Sequence, residues 1–121
     1  MVVDKQKFIS AGGFDESIFL YLEEADISRR LRKAGYSLMF DKSISYYHKI
    51  DNRIGFSPQA YSVLLQSMQY YCKKYGLNYN RIIRRLVAEL RIKRFVAKLF
   101  QRNEQLSVVE KNLKVVYETR N

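Results

Sequence analysis

Three carboxylates stand within four residues of the chain, at Glu23, Glu24 and Asp26. They open a helical pattern that continues through several bases to Gly35, and so they occupy the first turn of a predicted helix over residues 23–34. A carboxylate that is held ionised at such a point can accept a proton from an attacking hydroxyl group. Acidic side chains in a first turn also complement the helix dipole, and the spacing by itself favours this structural explanation.

The chain has a single histidine, His48, which ends a predicted strand and precedes a polar loop. An imidazole at that point could ligate a metal ion or contact a phosphate group. A lone histidine is more often a surface or hydrogen-bonded residue, so the sequence leaves both explanations open. The single cysteine, Cys72, excludes an intramolecular disulfide and a zinc site of paired cysteines, and it favours a reducing, cytosolic setting.

The composition is typical of a globular protein. Of the 121 residues, 47% are hydrophobic and 28% are charged, and the aromatic residues comprise 10 Tyr and 7 Phe. No apolar run approaches the roughly 20 residues of a membrane span, and the first residues lack the apolar stretch of a secretory signal. We therefore expect neither a secreted, disulfide-stapled protein nor a transmembrane one.

Hydrophobic periodicity predicts the elements that must position these residues. In the first half, the pattern predicts a short helix over residues 5–11, the helix over 23–34, and strands over 36–40 and 43–47. In the second half, it predicts a helix from Ser57-Pro58 to Gly76, one over about 80–100, and one after Asn103. The apolar stripe of the helix over 80–100 changes face near Arg91, so this helix either breaks there or is buried on two sides.

Positive charge is concentrated in the second half of the chain. The formal net charge is +10, of which residues 57–121 carry +9 and residues 1–56 carry +1. Such a basic helical tail suggests an anionic partner, either a phospholipid surface or a nucleic acid. Since no nucleic-acid-binding motif is recognisable, nucleic acid is the less favoured of the two. A solvated basic face, on helices that pack against the rest of the domain or a second copy of the chain, is the plain alternative.

An ordered series of short motifs runs through the first half. It comprises Gly-Gly-Phe-Asp-Glu at 12–16, Tyr-Leu-Glu-Glu-Ala-Asp-Ile at 21–27, Arg30, Gly-Tyr at 35–36 and Tyr-Tyr-His at 46–48. This series resembles the back half of the catalytic domain of family 2 glycosyltransferases, especially the bacterial rhamnosyltransferase-like members. Residues 70–76, Tyr-Tyr-Cys-Lys-Lys-Tyr-Gly, extend the resemblance more loosely.

The resemblance implies an α/β fold of the GT-A type, a nucleotide-diphospho-sugar transferase. This chain would be its mainly helical C-terminal portion with a few short strands. Residues 1–56 would form the C-terminal half of the catalytic domain, on the acceptor and base side, and residues 57–121 a basic tail of about three helices. The implied reaction is inverting transfer of a sugar from a nucleotide-diphospho-sugar to a glycan or lipid-linked acceptor, in bacterial surface polysaccharide synthesis. The implied location is cytoplasmic, peripheral to the inner face of the plasma membrane.

The resemblance also implies roles for individual residues. Glu24 falls on the usual catalytic base, although the family has Asp there, and Glu23 remains a candidate for the same role. The expected substrate pocket is formed by Gly12, Gly13, Phe14 and Asp15. Asp26 and Arg30, spaced to pair along one helix face, would support the helix start, and His48 would contact the metal or the diphosphate.

The donor-binding half of such an enzyme has a D-x-D motif, which this sequence lacks. We therefore expect a C-terminal fragment that is inactive by itself. A divalent metal, Mn²⁺ or Mg²⁺, is expected for the complete enzyme and not for this chain alone. The competing hypothesis is a non-catalytic basic helical module that binds an anionic membrane surface; a homodimer is a further expected assembly.

Overall fold

A computed structural model describes residues 2–39, 41–47 and 57–119 of the chain. Within these ranges there are five helices, which we number in chain order: α1 (Lys5–Ser10), α2 (Glu23–Lys33), α3 (Pro58–Tyr75), α4 (Tyr79–Leu99) and α5 (Asn103–Glu118). All five helices lie within a residue or two of the positions that the sequence predicts.

The predicted start and stop signals of α3 are confirmed, and α4 begins with a cap that was not predicted. Ser57 Oγ accepts a hydrogen bond from a first-turn backbone N–H at 3.2 Å, and Pro58 occupies the first helical position of α3. Gly76 ends α3 in the left-handed conformation, with a φ of 62°. Asn78 then caps α4 by accepting a 2.9 Å hydrogen bond from another first-turn N–H. Local sequence therefore determines both ends of α3 and the start of α4.

Helices α3, α4 and α5 pack around one hydrophobic core. Its buried members are Tyr61, Leu65, Ile83, Val87, Leu90, Leu113 and Val116. The side chain of Leu65 is completely buried, and Cys72 is also buried, as expected for a small apolar residue on the inner face of α3. Helix α1 packs against α2 at the other end of the chain.

Helix α4 runs through Arg91 without a break, so the prediction of a break there is wrong. Its first half buries one face in the core. In its second half Ile92, Phe95 and Leu99 lie on another face and remain between 64% and 67% exposed. Burial on two sides, the other predicted possibility, is therefore not found among the described residues.

The predicted strands do not form in the part of the chain that the structure describes. Residues 36–39 and 41–47 have no strand structure, and Leu38, Met39 and Ile44 expose much of their side chains. A strand depends on hydrogen bonds to a neighbouring strand, and the described residues supply none that pairs with these segments. None of the described helices is long and apolar enough to cross a membrane.

We predict that Leu65→Ala lowers the free energy of unfolding by about 3 kcal/mol, because it opens a cavity in the core of the three tail helices. Leu99→Ala removes the same atoms from an exposed position and should cost less than about 0.5 kcal/mol. Chemical denaturation followed by circular dichroism measures both. Equal losses in the two variants would show that the core lies elsewhere.

Candidate functional site

The side chain of Asp26 is fully buried in the first turn of α2. Its Oδ2 accepts a 2.8 Å hydrogen bond from Nε of Arg30, so the ion pair that their spacing predicts is present. Its Oδ1 accepts hydrogen bonds of 2.6 Å from Nζ of Lys74 and from the hydroxyl group of Tyr75. Because a buried charge is costly without compensating partners, these three donors are required for its burial. The carboxylate thus joins the start of α2 to the end of α3.

Arg30 extends these contacts into the loop that follows α1. Its Nη1 donates to the carbonyl oxygen of Ala11, and its Nη2 donates to that of Gly13 at 2.5 Å. Gly12 and Gly13 have φ angles of 84° and 64°, a left-handed conformation that glycine adopts at little cost. The two glycines therefore let the loop turn its carbonyl oxygens toward the guanidinium group.

Lys74 brings Asp15 into the same group of contacts. Its Nζ lies 2.7 Å from Oδ2 of Asp15 and 2.6 Å from Oδ1 of Asp26. The hydroxyl group of Tyr70 donates to Oδ2 of Asp15 at 3.0 Å, and the backbone N–H of Ser17 donates to Oδ1 at 2.9 Å. We refer to the side chains of Asp15, Asp26, Arg30, Tyr70, Lys74 and Tyr75 as the carboxylate network.

Hydrogen bonds determine the ionisation of the carboxylate network. The hydrogen bond from Lys74 is the main cause that lowers the pKa of Asp15 to about 2. Burial raises the pKa of Asp26, but the hydrogen bonds from its three donors outweigh burial and leave that pKa below its ordinary value. Burial lowers the pKa of Lys74, but its hydrogen bonds to the two aspartates raise that pKa by more. Near neutral pH the carboxylates of Asp15 and Asp26 and the ammonium group of Lys74 are therefore all charged.

The backbone that leads into α2 is strained. Tyr21 and Leu22 both adopt left-handed φ angles, of 67° and 70°, although neither is glycine. Such a conformation costs a non-glycine residue about 1–2 kcal/mol, so surrounding contacts must hold it. One of these contacts is the 2.6 Å hydrogen bond that Ser67 Oγ, on α3, donates to the carbonyl oxygen of Leu20.

Glu23 and Glu24 follow this strained segment directly and differ in environment. Glu24 is exposed, and it forms no hydrogen bond or ion pair with any residue that the structure describes. Glu23 is half-buried, and its Oε2 atom is buried without a hydrogen-bond partner among those residues. The two predicted base candidates thus lie at a helix N-terminus outside the carboxylate network, and each keeps acceptor capacity for another molecule.

The other predicted site residues have separate positions. Phe14 is 52% exposed and packs edge-on against Phe8 of α1, with ring centroids 5.0 Å apart. Asp15, predicted to line a sugar pocket, has its carboxylate engaged by Lys74 and Tyr70. His48 lies outside the described residues.

The described residues do not offer a metal site. They contain no cluster of three or more His, Cys, Asp or Glu side chains with the geometry to hold a metal ion. The aspartates of the carboxylate network are instead neutralised by Lys74 and Arg30.

Sequence reasoning missed the part that Tyr70, Lys74 and Tyr75 play, because their contacts with Asp15 and Asp26 join residues that are 48 to 59 positions apart in the chain. The signal lay in the stretch 70–76, where the family resemblance is looser and a lysine stands among tyrosines next to a helix-ending glycine. The ring of Tyr75 is also covered by the guanidinium group of Arg29, 4.1 Å from its centroid.

We predict that Asp26→Asn lowers the free energy of unfolding by about 3 kcal/mol, because Arg30 and Lys74 would then face a neutral amide in a buried position. Asp41→Asn is the matched control. Asp41 is exposed and accepts hydrogen bonds only from the nearby Ser43, so its replacement should leave the free energy of unfolding nearly unchanged. Urea denaturation of both variants at neutral pH tests this difference, and similar midpoints would contradict the central role of Asp26.

A second prediction concerns acid pH. A carboxylate whose pKa is lower in the folded state stabilises the fold above its ordinary value of 3.8 and loses that contribution as the pH falls through the folded pKa. We expect wild type to exceed Asp15→Asn in stability by about 1 kcal/mol at pH 5 and above, after allowance for solvent screening. The difference should vanish as the pH falls to about 2. Lys74→Met should remove much of the same pH dependence, whereas a difference that stays constant with pH would refute the assignment.

Part of the chain is similar in sequence to a known enzyme. Over 61 residues, 50% of this chain, the sequence is 33% identical to the N-acetylglucosaminyl-diphospho-decaprenol L-rhamnosyltransferase of Mycobacterium tuberculosis (strain CDC 1551 / Oshkosh). The protein of the same name from strain ATCC 25618 / H37Rv gives the same values. The match spans 20% of the length of these curated relatives. No protein-family profile matches the chain, and no solved structure does. Over half its length, the chain is therefore a distant relative of a glycosyltransferase.

Proposed function

We propose that this chain carries the acceptor-activating part of a glycosyltransferase, with a carboxylate of Glu24 or Glu23 as the general base. The observation that carries the proposal is the start of α2. There the carboxylate network fastens a double-glycine loop to a helix whose first two side chains are carboxylates outside that network.

Glu24 is the favoured base because it is exposed and can reach a hydroxyl group of a bound acceptor. In the proposed step, Glu24 takes the proton of the acceptor hydroxyl while the oxygen attacks the anomeric carbon of the donor sugar. The bond from that carbon to the diphosphate breaks, and the nucleoside diphosphate leaves with the bonding electrons. Attack from the face opposite the leaving group inverts the configuration at the anomeric carbon.

The carboxylate network supports this step by fixing positions. Arg30 holds the backbone of the Gly12-Gly13 loop, and Asp26 holds Arg30 at the start of α2. A base that is misplaced by the length of one bond can lose orders of magnitude in rate, so a rigid helix start favours catalysis. In this proposal Asp15 acts through Lys74 and Tyr70 as a positioning residue and does not bind the sugar itself.

The relatives suggest the substrate class. Their name specifies L-rhamnosyl transfer to an N-acetylglucosaminyl-diphospho-decaprenol. For this chain we propose a nucleotide-diphospho-sugar donor of the deoxyhexose type and an acceptor sugar carried on a diphospho-lipid. The reaction would belong to bacterial surface polysaccharide synthesis at the cytoplasmic face of the membrane. Donor binding would require residues beyond the described ones.

The test is sugar transfer by a chimera of the rhamnosyltransferase relative in which residues 2–76 of this chain replace the corresponding stretch. Glu24→Gln keeps the shape of the side chain and removes its basicity, so we expect kcat to fall by roughly 10²–10⁴-fold, with little change in donor binding. Glu16→Gln, at an exposed carboxylate outside α2, is the matched control and should leave kcat unchanged.

The outcomes separate the two candidates. If Glu23→Gln abolishes transfer and Glu24→Gln does not, the base is Glu23. If the chimera is active and keeps its activity in both variants, the proposed function is wrong. Isothermal calorimetry on the 121-residue chain alone should show weak or no binding of nucleotide-sugars.

A further inference from the structure

The second half of α4 carries an apolar face that no described part of the chain covers. Ile92, Phe95, Leu99 and the following Phe100 are each between 63% and 67% exposed, and Val96 is 38% exposed. At 100° per residue, the first three of these side chains lie within about 60° of arc, on the side of the helix opposite the core. We name these five residues the α4 apolar face.

Positive charge borders the α4 apolar face. Arg91 and Lys98, which are seven residues apart, are exposed on one flank and form no ion pair with any residue that the structure describes; Arg91 donates a 3.1 Å hydrogen bond to the hydroxyl group of Tyr117. Beyond the helix, the guanidinium group of Arg102 lies 5.6 Å from the centroid of the Phe100 ring. Cations beside exposed Phe, Leu and Ile are typical of a helix that lies in the interface of an anionic membrane.

The α4 apolar face could be covered by a second copy of the chain or by a lipid surface, and charge favours one of the two. A second copy of the chain would place the flanks that carry Arg91 and Lys98 near each other, in a chain whose net charge is already +10. The one acidic residue of α4, Glu89, is paired with Lys93 at 2.5 Å and does not offset them. A lipid surface with anionic headgroups instead complements every exposed cation of this flank.

We propose that the α4 apolar face docks the chain on an anionic lipid bilayer. The apolar side chains enter the boundary between headgroups and acyl chains, while Arg91, Lys98 and Arg102 remain at the level of the lipid phosphates. Ile92 and Val96 also line one wall of an apolar groove of about 550 Å³ between α4 and α5, which extends the apolar surface beyond the helix. Docking needs no membrane-spanning helix.

The first experiment uses tryptophan as a depth probe, because the chain contains none. Phe95→Trp places one indole at the centre of the α4 apolar face. Phe19→Trp places one at a similarly exposed site outside it, since Phe19 is 85% exposed. With phosphatidylglycerol vesicles at low salt, we expect a blue shift and quenching by brominated acyl chains for Phe95→Trp alone. Equal responses from the two probes, or none from Phe95→Trp, would overturn the proposal.

The second experiment tests the charged flank by vesicle co-sedimentation. Arg91→Gln combined with Lys98→Gln should lower the partition constant about thirtyfold, because each cation near an anionic surface contributes about fivefold. Arg32→Gln combined with Lys33→Gln removes the same charge from exposed positions on α2 and should lower it by less than about threefold. Equal losses would mean diffuse attraction by net charge and would overturn the assignment of the face. Binding should weaken from 0.1 M to 1 M salt and should be absent with phosphatidylcholine vesicles.

Sedimentation velocity without lipid tests whether a second copy of the chain occupies the α4 apolar face instead. If the chain dimerises and Phe95→Ser with Leu99→Ser makes it monomeric, a second copy covers the face and the membrane proposal falls. A monomer supports the proposal. These measurements contain no sugar donor, so their outcome is independent of the Glu24 experiment.

Discussion

A carboxylate that is sealed from water must find compensating charge inside the protein, and Asp26 finds it in two separate parts of the sequence. Arg30 comes from the same helix, while Lys74 and Tyr75 come from the end of a helix almost fifty residues away. Because the cost of an unpaired buried charge is several kcal/mol, these parts cannot separate independently. The arrangement of α2 against α3, and of the glycine loop against α2, depends on this one buried group.

The same constraint explains how strained backbone is tolerated beside it. Two successive residues with left-handed φ angles would relax in an isolated peptide. Here the turn after them begins α2 and contains Asp26, and the residue before them is bound by Ser67 of α3. Strain held in this way is characteristic of functional sites, and the strained segment leads directly into the two glutamates, which form no hydrogen bond or ion pair with the carboxylate network. Within one turn of α2, Asp26 thus fixes the structure, while the neighbouring Glu23 and Glu24 keep carboxylates that are available for the proposed chemistry.

Helix α4 shows how one helix can serve two surfaces. The face around Val87 and Leu90 closes the core of the three tail helices, and this requires no contribution from Phe95 or Leu99. An exposed apolar side chain contributes little to stability, so folding alone does not account for aromatic residues on the outer face. Their location beside unpaired cations is what separates this face from ordinary surface.

Sequence by itself determined the local features of this protein. Helix ends at Ser57 and Gly76, the pairing of Asp26 with Arg30 and the basic character of the tail all follow from neighbouring residues, since capping, backbone conformation and i,i+4 contacts act within one or two turns. The motif order also indicated the glycosyltransferase relationship that the rhamnosyltransferase match supports.

Tertiary structure decided that the segments over 36–39 and 43–47 have no strand partner among the described residues, and that the outer face of α4 stays exposed. It also decided that Lys74 lies between Asp15 and Asp26. Such contacts join residues far apart in the chain, and periodicity within a segment carries no information about which distant segment will supply the partner.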